Sequence, residues 1–131
     1  MRMRESIRSG RSFALETTCA GSSYVGTIKE CKQSGWTISF FYFWLPTPEH
    51  SISRVANRVA HGGHHIPDEV IRRRFRKGLW NMRNLYLPLA DEAEIYDNSV
   101  SPSILIAEKR KGQFLQIRHG ELWREMEEKS R

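Results

Sequence analysis

The segment WTISFFYFWL, residues 36–45, constrains the fold of this chain more than any other stretch. It consists largely of aromatic and β-branched residues, which favour β-strands. Because it is apolar at both odd and even positions, it predicts a strand inside a sheet that is covered on both faces. The chain has 131 residues, of which 39% are hydrophobic and 11% aromatic, enough for one domain with a core. We therefore expect residues 1–131 to form a single domain.

Helices and strands alternate along the chain. Helices are predicted where apolar residues recur at helical spacing between an opening proline or acidic residue and a closing glycine. These helices cover residues 22–35, 48–61, 67–86 and 121–130. Strands are predicted at residues 12–18, 36–45 and 93–99, with a hairpin over 103–117 that turns near Lys111–Gly112. The order predicts an α/β fold, with a parallel sheet, crossover connections and flanking helices.

The formal net charge of +6 permits a polyanionic ligand, such as a nucleotide, a nucleic acid or an acidic membrane surface. The longest apolar stretch, residues 38–46, is far shorter than the roughly 20 residues that span a bilayer. The basic amino terminus has no apolar run behind it, so it does not resemble a secretory signal. Two cysteines make no disulfide framework. We expect a cytoplasmic protein without a membrane partner.

The segment HGGHHIPDEVIRRRFRK, residues 61–77, combines histidines, glycines and a basic run. Gly62 and Gly63 interrupt the helical spacing of the histidines and no cysteine or acid completes a tetrahedral site, so we expect no metal there. The segment then predicts a turn followed by a helix. A charge run usually marks a solvated face. Arginine also binds phosphate oxygens bidentately, and the basic residues have no acid among them. These residues are Arg72, Arg73, Arg74, Arg76, Lys77 and Arg83.

Two further segments bear on a phosphate ligand. Glu16 and Thr17 end the predicted strand of residues 12–18, and loops at the carboxyl ends of strands line the ligand crevice of α/β sheets. The alternative for Thr17 is a simple helix cap at an exposed turn. The segment GSSYVGTI, residues 21–28, has the glycine spacing of a Walker A loop but lacks the lysine and the Ser or Thr that follow, so it is not a phosphate loop.

Taken together, SFALETT, WLPTPEHSISRVANRVAHGGHHIPDEVIRRRFRKGLWNMRNLY, YDNS and ILIA resemble the zeta-toxin-like P-loop kinases, in the branch described as predicted ATPases. The resemblance covers residues 3–107. It implies ATP-dependent phosphoryl transfer with Mg²⁺, on a UDP-activated amino sugar in the case of zeta toxins. Glu16 and Thr17 would bind the substrate, and Asn98 would lie near the nucleotide. Arg58, Arg73 and Arg74 would belong to a lid that neutralises the transferring phosphoryl group. The resemblance also implies three partners: a nucleotide, a small-molecule substrate and an antitoxin-like protein.

The sequence departs from that family at its start. A Walker A loop, the strand before it and the acidic catalytic base have no counterpart here. We therefore expect the chain to be the C-terminal two-thirds of a kinase domain, with a partial P-loop kinase fold that lacks the Walker A strand, loop and helix. In this form we expect it to be inactive. Loss of the central strand would leave open strand edges, or strands that pair directly. The alternative is a basic nucleic-acid-binding or non-catalytic interaction protein, although no nucleic-acid-binding motif is found.

Overall fold

The aromatic segment forms a strand, β1 (Ser39–Trp44), at one edge of the sheet that the structure describes. The computed structural model describes residues 19–63 and 65–130. The predicted strand of residues 12–18 lies outside these residues. The sheet has four strands in the order β1-β2-β3-β4, with β2 at Glu92–Asp97, β3 at Ile104–Lys109 and β4 at Gln116–Ile117.

The sheet is mixed, so the predicted parallel sheet is confirmed only for the β1–β2 pair. β1 pairs with β2 in parallel, whereas β2–β3 and β3–β4 are antiparallel. The reason is the length of the connections. A parallel crossover needs a dozen or more residues, and only residues 98–103 separate β2 from β3. The predicted hairpin near Lys111–Gly112 is confirmed as the β3–β4 pair, and Gly112 has the positive φ, 78°, that its turn requires.

The described residues form four α-helices beside the sheet, and the α/β class is therefore confirmed. They are α1 (Val25–Gln33), α2 (Pro48–Ala60), α3 (Asp68–Asn81) and α4 (Gly120–Lys129). The chain continues from α3 through a π-helical turn (Met82–Tyr86) and a 3₁₀ turn (Leu87–Leu89) into β2. None of the helices in this part of the chain is both long and apolar enough to cross a membrane.

The core lies on one face of the sheet. Trp44 and Ile95 on the strands, Leu79 on α3 and Met126 on α4 are at most 1% exposed and belong to one cluster. Apolar residues recur at helical spacing along the long helix predicted over residues 67–86, and they face inward: Ile71, Leu79, Met82 and Tyr86 are buried and Phe75 is half-buried. The other face differs from expectation. Phe41 and Phe43 of β1 are each 58% exposed there, so the described residues do not cover the strand on both sides.

The amino-terminal ends of β1 and β2 are joined by a reciprocal pair of hydrogen bonds. The N–H of Ile38 donates to Oδ2 of Asp91 at 2.7 Å, and the N–H of Asp91 donates to the carbonyl of Ile38 at 2.8 Å. Nζ of Lys32 on α1 lies 3.6 Å from Oδ1 of Asp91. The Ile38 hydrogen bond, aided by the Lys32 charge and opposed by partial burial, holds the pKa of Asp91 below its ordinary value of 3.8. The carboxylate therefore stabilises the folded state.

Asp91→Asn is expected to lower the free energy of unfolding at pH 7 by about 1–2 kcal/mol, because a hydrogen bond to a charged group and an ion pair are weakened. A depressed folded-state pKa stabilises the fold above the unfolded pKa, and this contribution is lost as the pH falls through the folded value. Urea unfolding should therefore show the wild type and the variant converging as the pH falls below the ordinary Asp91 value of 3.8. Glu128→Gln, at an exposed carboxylate of α4, is the matched control and should change little. A constant difference across the acidic range would contradict the assignment.

Leu79→Ala is expected to destabilise the fold by about 2–5 kcal/mol, because it opens a cavity in a fully buried site. Its neighbour Trp80 is 47% exposed, and Trp80→Ala should cost less than about 1 kcal/mol. Urea unfolding followed by far-ultraviolet circular dichroism compares the two variants. A larger effect at Trp80 would show that α3 presents a different face to the sheet.

Candidate functional site

The carboxyl ends of β1 and β2 meet at one edge of the sheet because the two strands are parallel neighbours. Trp44 and Asp97, the last residues of the strands, are aligned in register. The N–H of Asn98 donates to the carbonyl of Trp44 at 2.8 Å, which extends the pairing one step beyond the strands. In α/β sheets this edge is where ligands bind. It is therefore the first place to look for a site in this chain.

The loop after β2 is organised by its own polar side chains. The carboxylate of Asp97 is buried, and its Oδ1 accepts from the N–H of Ser99 at 2.9 Å and from the Ser99 hydroxyl at 2.6 Å. The hydroxyl of Ser103 donates to Oδ1 of Asn98 at 2.7 Å. Asn98 is exposed at the edge of the sheet.

Helices α2 and α3 form a helical hairpin, defined here as residues 48–81. Its root, meaning the start of α2 just after β1, lies at the same edge. The hairpin begins shortly after β1, with Pro48 in the first turn of α2, and α2 packs against α3. Lys129 of α4 fastens this root. Its Nζ donates to the carbonyl of Pro46 at 2.6 Å and to Oε1 of Glu125 at 2.8 Å, and lies 5.6 Å from the centre of the Trp44 ring.

The connection between the two helices is a glycine turn, as predicted. Gly62 has a φ of +90°, which L side chains rarely adopt. The N–H of Gly63 donates to the carbonyl of Arg58 at 2.7 Å, and a Cβ on Gly63 would lie 2.9 Å from that carbonyl oxygen. The ring Nδ1 of His61 donates to the carbonyl of Asn57 at 2.7 Å. His61 thus caps the end of α2. His64 lies outside the described residues.

The arginine run is divided by its surroundings into paired and unpaired cations. The guanidinium of Arg72 lies 3.6 Å from Oε1 of Glu49 on α2. Arg83 donates to the Ser130 hydroxyl at 2.5 Å, lies 3.6 Å from Oε2 of Glu127 and sits 5.8 Å from the centre of the Trp123 ring. The run itself contains no acid, but Arg72 and Arg83 pair with carboxylates from other parts of the chain. The latter fastens α4 to the end of α3.

The remaining cations of α3 form a row that the described carboxylates do not neutralise. All four are exposed, and none has an ion pair with a carboxylate in residues 19–63 or 65–130: Arg73, Arg74, Arg76 and Lys77. Cations held near one another without counter-charges repel, and an anion relieves this repulsion. We call these four residues the basic row.

The predicted site residues fall into three groups. Arg58, in the last turn of α2, belongs to the same hairpin as Arg73 and Arg74 and is exposed as they are. Asn98 lies near the hairpin root, but no hydrogen bond within the described part of the chain joins its side chain to these arginines. Glu16 and Thr17 lie outside the described residues. Within those residues, no group of three or more His, Cys, Asp or Glu side chains is arranged to hold a metal ion.

Two residues at this edge were missed from the sequence. Lys129 and Pro46 are 83 positions apart in the chain, and no local pattern signals their contact. The indole nitrogen of Trp44 is buried and has no hydrogen-bond partner among the described atoms. A buried N–H usually finds an acceptor. In the sequence, only the position of Trp44 at the end of an apolar strand pointed to a buried indole N–H.

Gly63→Ala is expected to destabilise the fold by about 1–3 kcal/mol, because the new methyl group would overlap the Arg58 carbonyl and push the two helices apart. Gly26→Ala is the matched control. A Cβ at Gly26 meets no atom within 4 Å, and alanine in α1 should raise stability by up to about 1 kcal/mol. Chemical unfolding of both variants measures the difference. Equal effects would show that the turn does not depend on the close approach at Gly63.

An uncharacterized protein of Haemophilus influenzae is 28% identical to this chain over 69 residues, which are 53% of the chain and 49% of the relative. The chain thus spans about half the length of the relative that it matches. No protein-family model matches the sequence, and no solved structure matches it.

Proposed function

We propose that this chain binds the phosphates of a nucleotide, ATP, on the helical hairpin of residues 48–81. We further propose that it is a partial module of the zeta-toxin-like P-loop kinase class, whose complete members carry out ATP-dependent phosphoryl transfer. The observation that carries the proposal is the basic row on α3, exposed and without described counter-charges. The resemblance of the sequence to that class supports the choice of ligand.

Arginine suits this role for a physical reason. Its planar guanidinium offers a fork of donors that matches two phosphate oxygens, and it keeps its charge in every environment. Phosphoryl transfer depends chiefly on positioning and on neutralising the charge of the phosphate oxygens. In the proposal, Arg73 and Arg74 contact the phosphates from α3, and Arg58 approaches from the end of α2. The glycine turn at Gly62 and Gly63 sets the angle between the two helices.

The root of the hairpin supports the same ligand. The loop containing Asn98 follows β2 at the carboxyl edge of two adjacent parallel strands, where α/β folds bind their ligands. We propose that Asn98 contacts the nucleotide there. Lys129 holds Pro46, and so the root, in a fixed position. Glu16 and Thr17 remain proposed contacts to the phosphoryl acceptor, for which the resemblance implies a UDP-activated amino sugar.

Binding of ATP and transfer of its terminal phosphoryl group require different residues. The sequence carries no Walker A lysine, and the described residues offer no cluster of ligands for Mg²⁺. We therefore assign no step to a protein-bound metal and expect the chain as given to bind ATP without transferring its terminal phosphoryl group. Since the same basic row would also suit a nucleic-acid backbone, the test must distinguish the two polyanions.

The double variant Arg73→Gln/Arg74→Gln is expected to weaken ATP binding at least about tenfold, a loss of about 1.4 kcal/mol. The reason is that it removes two charge-assisted contacts. Titration calorimetry and the ATP-dependent rise in melting temperature measure the effect. The control is Arg110→Gln/Arg118→Gln, which removes the same charge from two arginines that pair with Glu108 at 3.2 and 3.4 Å. The control should keep the affinity of the wild type.

Two outcomes would contradict the proposal. Equal losses in both double variants would mean that net charge alone attracts ATP, without a site on the hairpin. A melt that is unmoved by ATP but raised by duplex DNA, with an affinity that falls steeply as salt rises, would favour the nucleic-acid alternative.

A further inference from the structure

One edge of β1 has no strand beside it among the described residues, and its free backbone groups can be identified. The carbonyls of Ile38 and Trp44 accept from the N–H groups of Glu92 and Asn98, so both point toward β2. Backbone groups alternate in direction along a strand. The N–H and C=O groups of Ser39, Phe41 and Phe43 therefore point to the opposite, open edge.

The same residues carry an exposed aromatic surface. Phe41 and Phe43 are 58% exposed on the face of the sheet away from the core, and the ring of Phe43 stacks on Tyr96 with centroids 5.7 Å apart. Tyr96 is in turn aligned with Leu105 of β3. Leu79 of α3 and Met126 of α4 belong to the cluster on the other face. An apolar row thus crosses the sheet and stops at the open edge of β1.

Protected edge strands carry a lysine, a proline or a bulge that prevents pairing. β1 has none of these devices, since its sequence is SFFYFW and its pairing with β2 is regular along all six residues. It also carries no charged side chain, so a second copy of the same strand meets no like charge across the edge. An uncharged strand can pair with a second copy of itself without charge repulsion. In a two-fold dimer the same residues form both halves of the interface.

We propose that this edge is a homodimer interface, in which β1 pairs antiparallel with β1 of a second copy about a two-fold axis at Phe41. Phe41 then lies opposite Phe41 of the partner, and Phe43 lies opposite the partner's Ser39. Because these residues carry the free backbone groups, each pair exchanges both of its hydrogen bonds. The phenyl rings of the two copies adjoin on the outer face, and the two sheets become one continuous sheet.

The size of the interface sets its strength. An aromatic side chain has about 150–250 Å² of surface, so four phenyl rings at the observed exposure contribute roughly 450 Å². This is well below the roughly 1,600 Å² of a standard stable interface, so the dimer is weak and its population depends on concentration. Each copy carries a net charge of +6, so the copies repel at long range and salt favours association. The inference does not depend on ATP binding, which salt weakens.

Phe41→Cys tests the geometry directly. Residues that face each other in a hydrogen-bonded antiparallel pair have Cα atoms about 5.5 Å apart, within the range of a disulfide. The native cysteines compete little, because Cys19 and Cys31 are buried and burial raises the pKa of both thiols, that of Cys19 to about 11. Mild oxidation should yield a cross-linked dimer of Phe41→Cys. Gln113→Cys, exposed in the β3–β4 turn, should cross-link far less.

Sedimentation of the unoxidised full chain supplies the second measurement. The dimer fraction of the wild type should rise over a roughly hundredfold range of concentration, and should rise further with salt. Phe41→Lys should abolish the dimer, because the two lysines would lie opposite each other across the edge. Phe114→Lys makes the same change at a side chain that is 93% exposed in the β3–β4 turn, and it should leave the dimer unchanged.

Several outcomes would overturn the proposal. These are a monomer at every concentration, equal loss of the dimer in both lysine variants, or equal cross-linking of both cysteine variants. Fibres or higher oligomers in place of a dimer would show that the contact is not closed by a two-fold axis. Slow amide exchange of Phe41 and Phe43 that does not vary with concentration would show that the edge is covered within one chain.

Discussion

The parallel pairing of β1 with β2 supports everything else in this structure. It joins segments 53 positions apart and is fastened at both ends, by the reciprocal Ile38–Asp91 bonds at one end and the Asn98–Trp44 bond at the other. The helical hairpin follows β1 directly, and the Asn98 loop follows β2 directly. The pairing therefore fixes the distance between the two parts of the candidate site, and a shift of register would separate them.

Local features were predicted well because their causes are local. The aromatic content of residues 39–44 is enough to predict β1, and the spacing from Ile71 to Tyr86 is enough to predict the buried stripe of the long helix. The glycine turns follow from the conformations that only glycine adopts readily. The direction of β3 was predictable as well. The short connection after Asp97 already excluded a crossover, although the alternation of helices and strands favoured one.

The candidate site was predicted less completely, because its electrostatics depend on residues that meet only in the fold. In the sequence the arginine run looks uniform. In the structure Arg83 reaches Ser130, 47 positions away, and serves to hold α4, whereas the neighbouring basic row has no described counter-charge. Helical periodicity gives the face on which a side chain lies but does not identify its partner. The role of Lys129 at Pro46 could not be predicted for the same reason.

Although β1 and β2 are neighbours in the sheet, they are far apart in the sequence, and this distance affects the chain during its synthesis. The strands β2, β3 and β4 follow one another through short turns, so their contacts are local and form quickly, whereas the β1–β2 contact closes a long loop. At about 5–20 residues per second, the ribosome needs roughly 3–10 s to add the 53 residues between Ile38 and Asp91. During that interval the uncharged strand SFFYFW has left, or is leaving, the ribosome without its native neighbour. This nascent segment is where a chaperone has the most to protect.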